Sequence, residues 1–178
     1  MNDYSIDIAD RQKCMVLDEP RLRDAVVRVL TEERIRMATI SLALVDDAEI
    51  HRVNREFLGH DYPTDVISFR LDEEGSQESG VSSRKIDGED LGMPVPQPST
   101  LNPQPHLEGE LIVSTETALR EAAAHGWSPH DEVLLYVVHG VLHLCGYDDL
   151  TDEARPAMRV REREVLAGWQ LVPTGLEA

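Results

Sequence analysis

The chain has 178 residues, 41% of them hydrophobic, and a formal net charge of −17. This length and composition predict a single domain over residues 1–178 with a sizeable core. The acidic balance argues against a protein that binds nucleic acid over its whole surface, because phosphate contacts need clustered Lys and Arg. Any contact with a nucleic acid must therefore come from a local patch.

The start of the chain and the cysteine count bear on its cellular compartment. Residues 1–7 carry neither a basic nor an apolar segment, and no apolar run approaches the length of a membrane span. The two cysteines, Cys14 and Cys145, are too few for a disulfide framework. We expect a cytoplasmic protein with no secretory signal and no membrane segment.

Apolar periodicity predicts strands and helices in alternation along the chain. Strands are predicted at residues 4–9, 40–44, 65–69 and 109–114. A first helix follows Pro20, and a short second one is capped by Asp46 or Asp47 and ends at Gly59. Three residues are expected to face inward from this second helix: Ile50, Val53 and Phe57.

Three more helices are predicted in the second half of the chain. One runs from Thr115 to Gly126, and the next begins at a cap formed by Ser128, followed by a first-turn proline. The last helix begins within residues 151–156. It is expected to bury an apolar stripe: Met158, Val165, Leu166 and Trp169.

The segment 72–107 interrupts this pattern. It is rich in Glu, Ser, Gly and Pro, and holds few apolar residues. The composition predicts a flexible acidic insertion on the surface that contributes nothing to the core. A binding loop is the alternative.

One motif predicts a metal site. His139 and His143 are four residues apart, so on a helix they share one face. Gly146 can end that helix in a left-handed conformation and turn the chain back, which brings Asp149 to the same point. Two nitrogens and one oxygen with an open fourth position are typical of catalytic rather than structural zinc. We expect one Zn²⁺ ion.

A structural role for the two histidines is the alternative, since such pairs arise often in helices. The residues around them are almost all apolar, so the helix is expected to be buried, and burying two unpartnered imidazoles is costly. Metal coordination is therefore favoured. Cys145 could be a fourth ligand, although a small buried hydrophobe is the simpler interpretation.

Three segments together resemble the YbeY family of bacterial rRNA-maturation endoribonucleases. The resemblance covers about residues 35–71 and 107–166. It is carried by Asn54-Arg-Glu-Phe57 leading to Pro63-Thr-Asp-Val-Ile-Ser-Phe69, by Gly109-Glu-Leu-Ile-Val-Ser114, and by His139-Gly-Val-Leu-His143-Leu-Cys-Gly146-Tyr-Asp-Asp149.

The resemblance implies an α+β fold: a compact, mixed four-stranded sheet flanked by helices, with a zincin-like metal helix. It also implies a single-strand-specific, zinc-dependent endoribonuclease acting in small-subunit rRNA 3′-end maturation and ribosome quality control. The implied partners are an rRNA precursor and the small ribosomal subunit or its associated factors. The substrate cleft is expected between the metal helix and residues 54–68.

Two positions depart from the family pattern. The third ligand is usually histidine but here is Asp149, whose negative charge should leave a bound water less acidic. A family arginine thought to contact substrate phosphate is replaced by Leu58. Arg55, three residues earlier on the same helix face, is a candidate substitute for that phosphate contact; otherwise it is a solvated charge.

The roles of nearby polar residues stay open. Asp148 could act as a general base or, as we favour, hold a metal ligand in place. Thr64, Asp65 and Ser68 could line the cleft, or could serve only the turn and strand in which they lie.

Two other functions fit part of the pattern. The ligand spacing is also that of metzincin-like metallopeptidases, but these place a glutamate base directly after the first histidine, where this chain has Gly140. A non-catalytic, zinc-bearing, ribosome-associated module is the third hypothesis. The acidity of the chain and Leu58 favour it, whereas an open metal position opposes it.

Overall fold

Four strands form one mixed sheet in the computed structural model, which describes residues 2–71 and 106–173. The strands are β1 (Asp3–Asp10), β2 (Met37–Val45), β3 (Val66–Arg70) and β4 (Leu107–Ser114). Their order in the sheet is β1-β2-β4-β3. The pairs β1–β2 and β2–β4 are parallel, and β3 lies antiparallel at the edge beside β4. The predicted α+β class with a mixed four-stranded sheet is confirmed.

Among the described residues, five α-helices pack around the sheet. They are α1 (Glu19–Glu32), α2 (Asp47–Val53), α3 (Thr115–His125), α4 (Pro129–Leu144) and α5 (Arg155–Leu166). A π-helical turn, Asn54–Leu58, continues α2, and a 3-10 turn, Ala167–Trp169, continues α5. Within the described residues, no helix combines the length and the apolar character needed to cross a membrane.

Helix α4 lies at the centre, packed against α1, α3, α5, β3 and β4. Its start is fixed as predicted: the Ser128 side chain accepts a hydrogen bond from the Asp131 N–H, and the Asp131 side chain accepts one from the Ser128 N–H. Its end is followed by Gly146, which has φ 101°. This left-handed residue turns the chain back towards the helix, as the sequence predicted.

The sheet is covered on both faces. Alternate residues of β4 point to opposite sides, so Leu111 and Val113 belong to the main core, whereas Ile112 belongs to a smaller cluster under α2. The main core lies between this face of the sheet and helices α1, α4 and α5, and it surrounds the helix that carries the two histidines. Trp169 packs against this core but is only partly buried.

The inward position predicted for Phe57 is wrong. Its side chain is 60% exposed, and the residue buried in that turn is Asn54, whose Nδ2 donates a hydrogen bond to the Tyr62 carbonyl at 2.7 Å. The cause is the π-helical turn, because its wider winding rotates the residues after Val53 away from the face expected of an α-helix.

The predicted end of the insertion at residue 107 is wrong. Leu107 begins β4 and is 3% exposed in the main core, so it belongs to the domain and not to the insertion. A single leucine after a proline-rich run carries no periodicity of its own, so the sequence could not assign it to the strand. The rest of the proposed insertion, residues 72–105, lies outside the described part of the chain.

Candidate metal centre

Three donor groups converge where α4 ends. The Nε2 atoms of His139 and His143 lie 3.0 Å apart. After the turn at Gly146, Asp149 places Oδ1 3.5 Å from Nε2 of His143 and Oδ2 3.8 Å from Nε2 of His139. One ligand atom from each residue lies within 4.8 Å of the others. The structure thus brings together all three residues that the motif selected.

Each imidazole is held through its other nitrogen. Nδ1 of His139 is 2.5 Å from Oε1 of Glu162, a carboxylate only 4% exposed. Nδ1 of His143 donates to the Tyr147 carbonyl at 3.0 Å. These contacts place the ring proton on Nδ1 and leave Nε2 with a free lone pair. Two such nitrogens and a carboxylate are a donor set that suits zinc.

The two histidines have opposite pKa shifts. Burial disfavours the charged form of His139, but the hydrogen bond and negative charge of Glu162 outweigh it and raise the pKa of His139. Burial, together with the positive charge of His139, lowers the pKa of His143. A proton in the metal-free pair therefore favours His139, and a divalent cation between the Nε2 atoms must displace it.

The loop that carries Asp149 is anchored to α5. Nε of Arg155 donates to the Asp149 carbonyl at 3.1 Å, and its Nη1 donates to Asp152 at 2.8 Å. On the other side of the loop, the Tyr147 hydroxyl donates to Glu33 at 3.2 Å. These contacts tether the turn on both sides, so the Asp149 carboxylate is positioned by α5 and by the residue that follows α1, as well as by α4.

A cavity of about 200 Å³ borders the donor atoms. Besides His139 and Asp149, its polar lining includes Asp65 before β3 and three residues of α5: Arg155, Arg159 and Glu162. Of residues 54–68, which we expected to form one side of a substrate cleft, Asp65 lines this cavity. The opposite wall is α5.

The Thr64–Ser68 segment divides into two roles. Oδ1 of Asp65 accepts hydrogen bonds from the Thr64 hydroxyl and the Val66 N–H, both at 2.9 Å. Ser68 lies within β3 opposite Leu111. Thr64 thus orients the cavity residue Asp65, whereas Ser68 serves the strand.

Two further predicted residues are not among the three donors, and neither lines the cavity. The Arg55 side chain is 64% exposed, 3.9 Å from Asp61, and does not line the cavity. Oδ1 of Asp148 accepts a hydrogen bond from the Leu150 N–H at 3.0 Å. The carboxylate that holds His139 is Glu162, which the sequence analysis did not single out. Its signal was an acid within the apolar stripe of the last helix, one turn after Met158.

Gly140 packs directly on the sheet. A Cβ added there would lie 2.7 Å from Cδ2 of Leu111 and 3.1 Å from Cγ2 of Val66. A glutamate at this position would require the side chains of Leu111 and Val66 to move, so the packing against β3 and β4 opposes the base of the metallopeptidase hypothesis. Cys145 packs against the core, and burial raises the pKa of its thiol to about 12, which suits a small hydrophobe better than a ligand.

Comparison with known proteins tests the family resemblance. A model of the family described as endoribonuclease YbeY matches residues 7–170. The endoribonuclease YbeY of Rhodopirellula baltica is 38% identical over 161 residues, which cover 89% of this chain but 66% of that protein. The endoribonuclease YbeY of Syntrophotalea carbinolica is 35% identical over 164 residues, which cover 91% of this chain and 93% of that one.

The fold is shared with a solved protein as well. A solution structure from Thermotoga maritima matches with a TM-score of 0.52 over 97% of this chain and 99% of that chain, at 24% identity. At this identity the likeness concerns the fold alone. Family membership rests on the sequence matches, which extend from β1 to the turn after α5. The chain belongs to the endoribonuclease YbeY family.

Proposed function

We propose that this protein is a zinc-dependent endoribonuclease that cleaves single-stranded RNA and acts in small-subunit rRNA 3′-end maturation and ribosome quality control. The observation that carries the proposal is the convergence of His139, His143 and Asp149 within 4.8 Å, beside a cavity with charged walls. The substrate would be an rRNA precursor. Its partners would be the small ribosomal subunit or associated factors in the cytoplasm.

Each side chain around the donor atoms has a separate role in this proposal. His139, His143 and Asp149 would hold the zinc ion, which would supply Lewis-acid stabilisation of the charge that develops on a phosphate. Glu162 keeps the lone pair of His139 directed at the ion, and Arg155 holds the backbone of Asp149. Because Oδ1 of Asp65 already accepts two hydrogen bonds, Oδ2 is the atom of this carboxylate available to take a proton.

Asp148 and Arg55 are further candidate residues in this proposal. Asp148 directly precedes the ligand Asp149 and is an alternative base. Arg55 is solvent-exposed, so it can contact an RNA strand that extends beyond the cavity. Neither role is needed for the metal to bind.

The non-catalytic module is the competing hypothesis, and one experiment separates it from the nuclease. Zinc content and cleavage of an end-labelled single-stranded RNA are measured for wild type and His143→Ala. We expect about one zinc per chain and metal-dependent cleavage in the wild type, and loss of both in the variant. Zinc-loaded protein that leaves RNA intact would reject the nuclease. Equal zinc in both proteins would reject the assignment of His143 as a ligand. A parallel assay with casein tests the peptidase hypothesis, which hydrolysis of casein would support.

A further inference from the structure

Helix α5 presents one face to the metal cavity. Arg155, Met158, Arg159 and Glu162 all line it, at the i, i+3, i+4 and i+7 spacing of a single helical face. Two of these side chains already have partners at the centre. Glu162 holds His139, and Arg155 holds the Asp149 carbonyl. The remaining charged residue of this face is Arg159.

Arg159 has no partner for its guanidinium within the part of the chain that the structure describes. Across residues 2–71 and 106–173, no hydrogen bond or ion pair satisfies its guanidinium, although the side chain is partly buried at the cavity wall. The contrast with Arg161 is sharp, because that side chain pairs with Glu32, Glu33 and Glu164. Acidic residues outnumber basic ones by 34 to 17 in this chain, so pairing is the expected state of an arginine.

A guanidinium left unpaired beside metal ligands suits an anionic substrate. Its planar fork of donors matches two oxygens of a phosphate, and it stays charged at any physiological pH. The other charged groups of the cavity wall cannot supply this contact. Asp65, Asp149 and Glu162 repel a phosphate, and the guanidinium of Arg155 is committed to Asp149 and Asp152.

We propose that Arg159 binds the RNA phosphate at the metal centre and stabilises the charge that develops on it during cleavage. This inference rests on the proposed nuclease function and names a residue that binds the RNA substrate of the nuclease. It also accounts for Leu58, which stands where the family resemblance places a phosphate-binding arginine. Leu58 packs against the smaller core cluster, and Arg55 lies outside the cavity, so the cation comes from α5 instead.

The test compares three variants. Arg159→Gln removes the charge but keeps much of the length, and Arg159→Lys keeps the charge but not the fork. Arg163→Gln is the matched control, because Arg163 lies one turn further along α5, is exposed and does not line the cavity. Zinc content and thermal unfolding are measured first for each protein. Affinity for a single-stranded RNA oligonucleotide at several salt concentrations, and the kcat and KM of its cleavage, follow.

We expect Arg159→Gln to keep its zinc and its Tm, and to lose about 10- to 100-fold in kcat/KM, with part of the loss in kcat. Its binding should also lose about 0.7 from the log–log salt slope, which corresponds to one phosphate contact on a single strand. Arg159→Lys should recover part of the affinity, whereas Arg163→Gln should stay within about twofold of wild type.

Three results would overturn the role of Arg159: no loss in Arg159→Gln, an equal loss in Arg163→Gln, or a loss explained by missing zinc or a lower Tm. Failure of the nuclease hypothesis gives a different pattern. If wild type binds RNA without cleaving it, the nuclease is rejected, and the binding data alone decide whether Arg159 contacts phosphate. If wild type neither binds nor cleaves RNA, both proposals fail.

Discussion

Oε1 of Glu162 lies 2.5 Å from Nδ1 of His139, which joins α5 to the face of α4 that carries the two histidines. The carboxylate is almost fully buried, so water cannot replace it as a partner of the ring. Two residues 23 positions apart in sequence thus form one unit, in which the acid fixes the tautomer and basicity of the imidazole.

Glu162→Gln should weaken zinc binding by about 10- to 100-fold, because an amide cannot stabilise a proton on Nδ1 as a carboxylate does. The measurement is competition for zinc with a chelator of known affinity. Glu164→Gln, two residues further along α5 and 57% exposed, is the control and should bind like wild type. Equal affinities for the two variants would mean that Glu162 serves only the packing of α5.

Zinc affinity should fall as the pH is lowered. Burial opposes protonation of His139, but Glu162 outweighs it and raises the pKa above its usual value, so zinc competes with a proton at this ring. Affinity should be full above the raised pKa and fall about tenfold per pH unit below it. Chelator competition between about pH 5 and pH 8 tests this, since histidine titrates there. A flat profile would contradict the assignment of His139 as a ligand.

Removal of the metal should lower the Tm by several degrees or more, since the centre ties α4 to the loop that follows Gly146, and α5 is linked to both. Thermal unfolding with and without EDTA is the measurement, with metal loss confirmed by elemental analysis. His143→Ala is the control, and its transition should not respond to EDTA. An unchanged wild-type Tm after confirmed metal loss would show that the fold does not depend on the ion.

Gly140→Ala should destabilise the fold even though alanine favours helices. The new methyl group would clash with Leu111 and Val66, and overpacking of this kind costs about 1–3 kcal/mol, against a gain in helix propensity of about 1 kcal/mol. Urea unfolding measures the difference. Gly140→Glu should be less stable still and should gain no peptidase activity. A stable Gly140→Glu protein would remove the packing argument against a base at this position.

Residues 72–105 should be replaceable by a linker of about four residues, the length of a hairpin loop. Arg70 is paired with Gly109, and the Leu71 N–H donates to the Glu108 carbonyl at 2.8 Å, so the two ends of the segment are neighbours. We expect a Tm close to that of wild type. A second deletion that also removes Leu107 is the control and should be less stable, because that residue is buried in the core. A large loss of stability in the first deletion would mean that the segment packs on the domain.

The local sequence determined most of the elements and the convergence of the three candidate metal donors. Helical periodicity sets His139 and His143 on one face, and Gly146 permits the turn that returns Asp149, so all three positions follow from contacts within eleven residues. The strands and the cap at Ser128 likewise depend on short-range patterns. The family resemblance, read from the same segments, is confirmed.

Only the tertiary structure decided what surrounds the donors. Glu162 and Arg159 reach the cavity because α5 packs across α4, and no pattern within α5 says which neighbour its polar positions will meet. The exposure of Phe57 and the burial of Leu107 were set in the same way, by a π-helical turn and by pairing with a distant strand. Periodicity specifies the face of an element on which a residue lies, whereas its partner depends on how elements distant in sequence pack together.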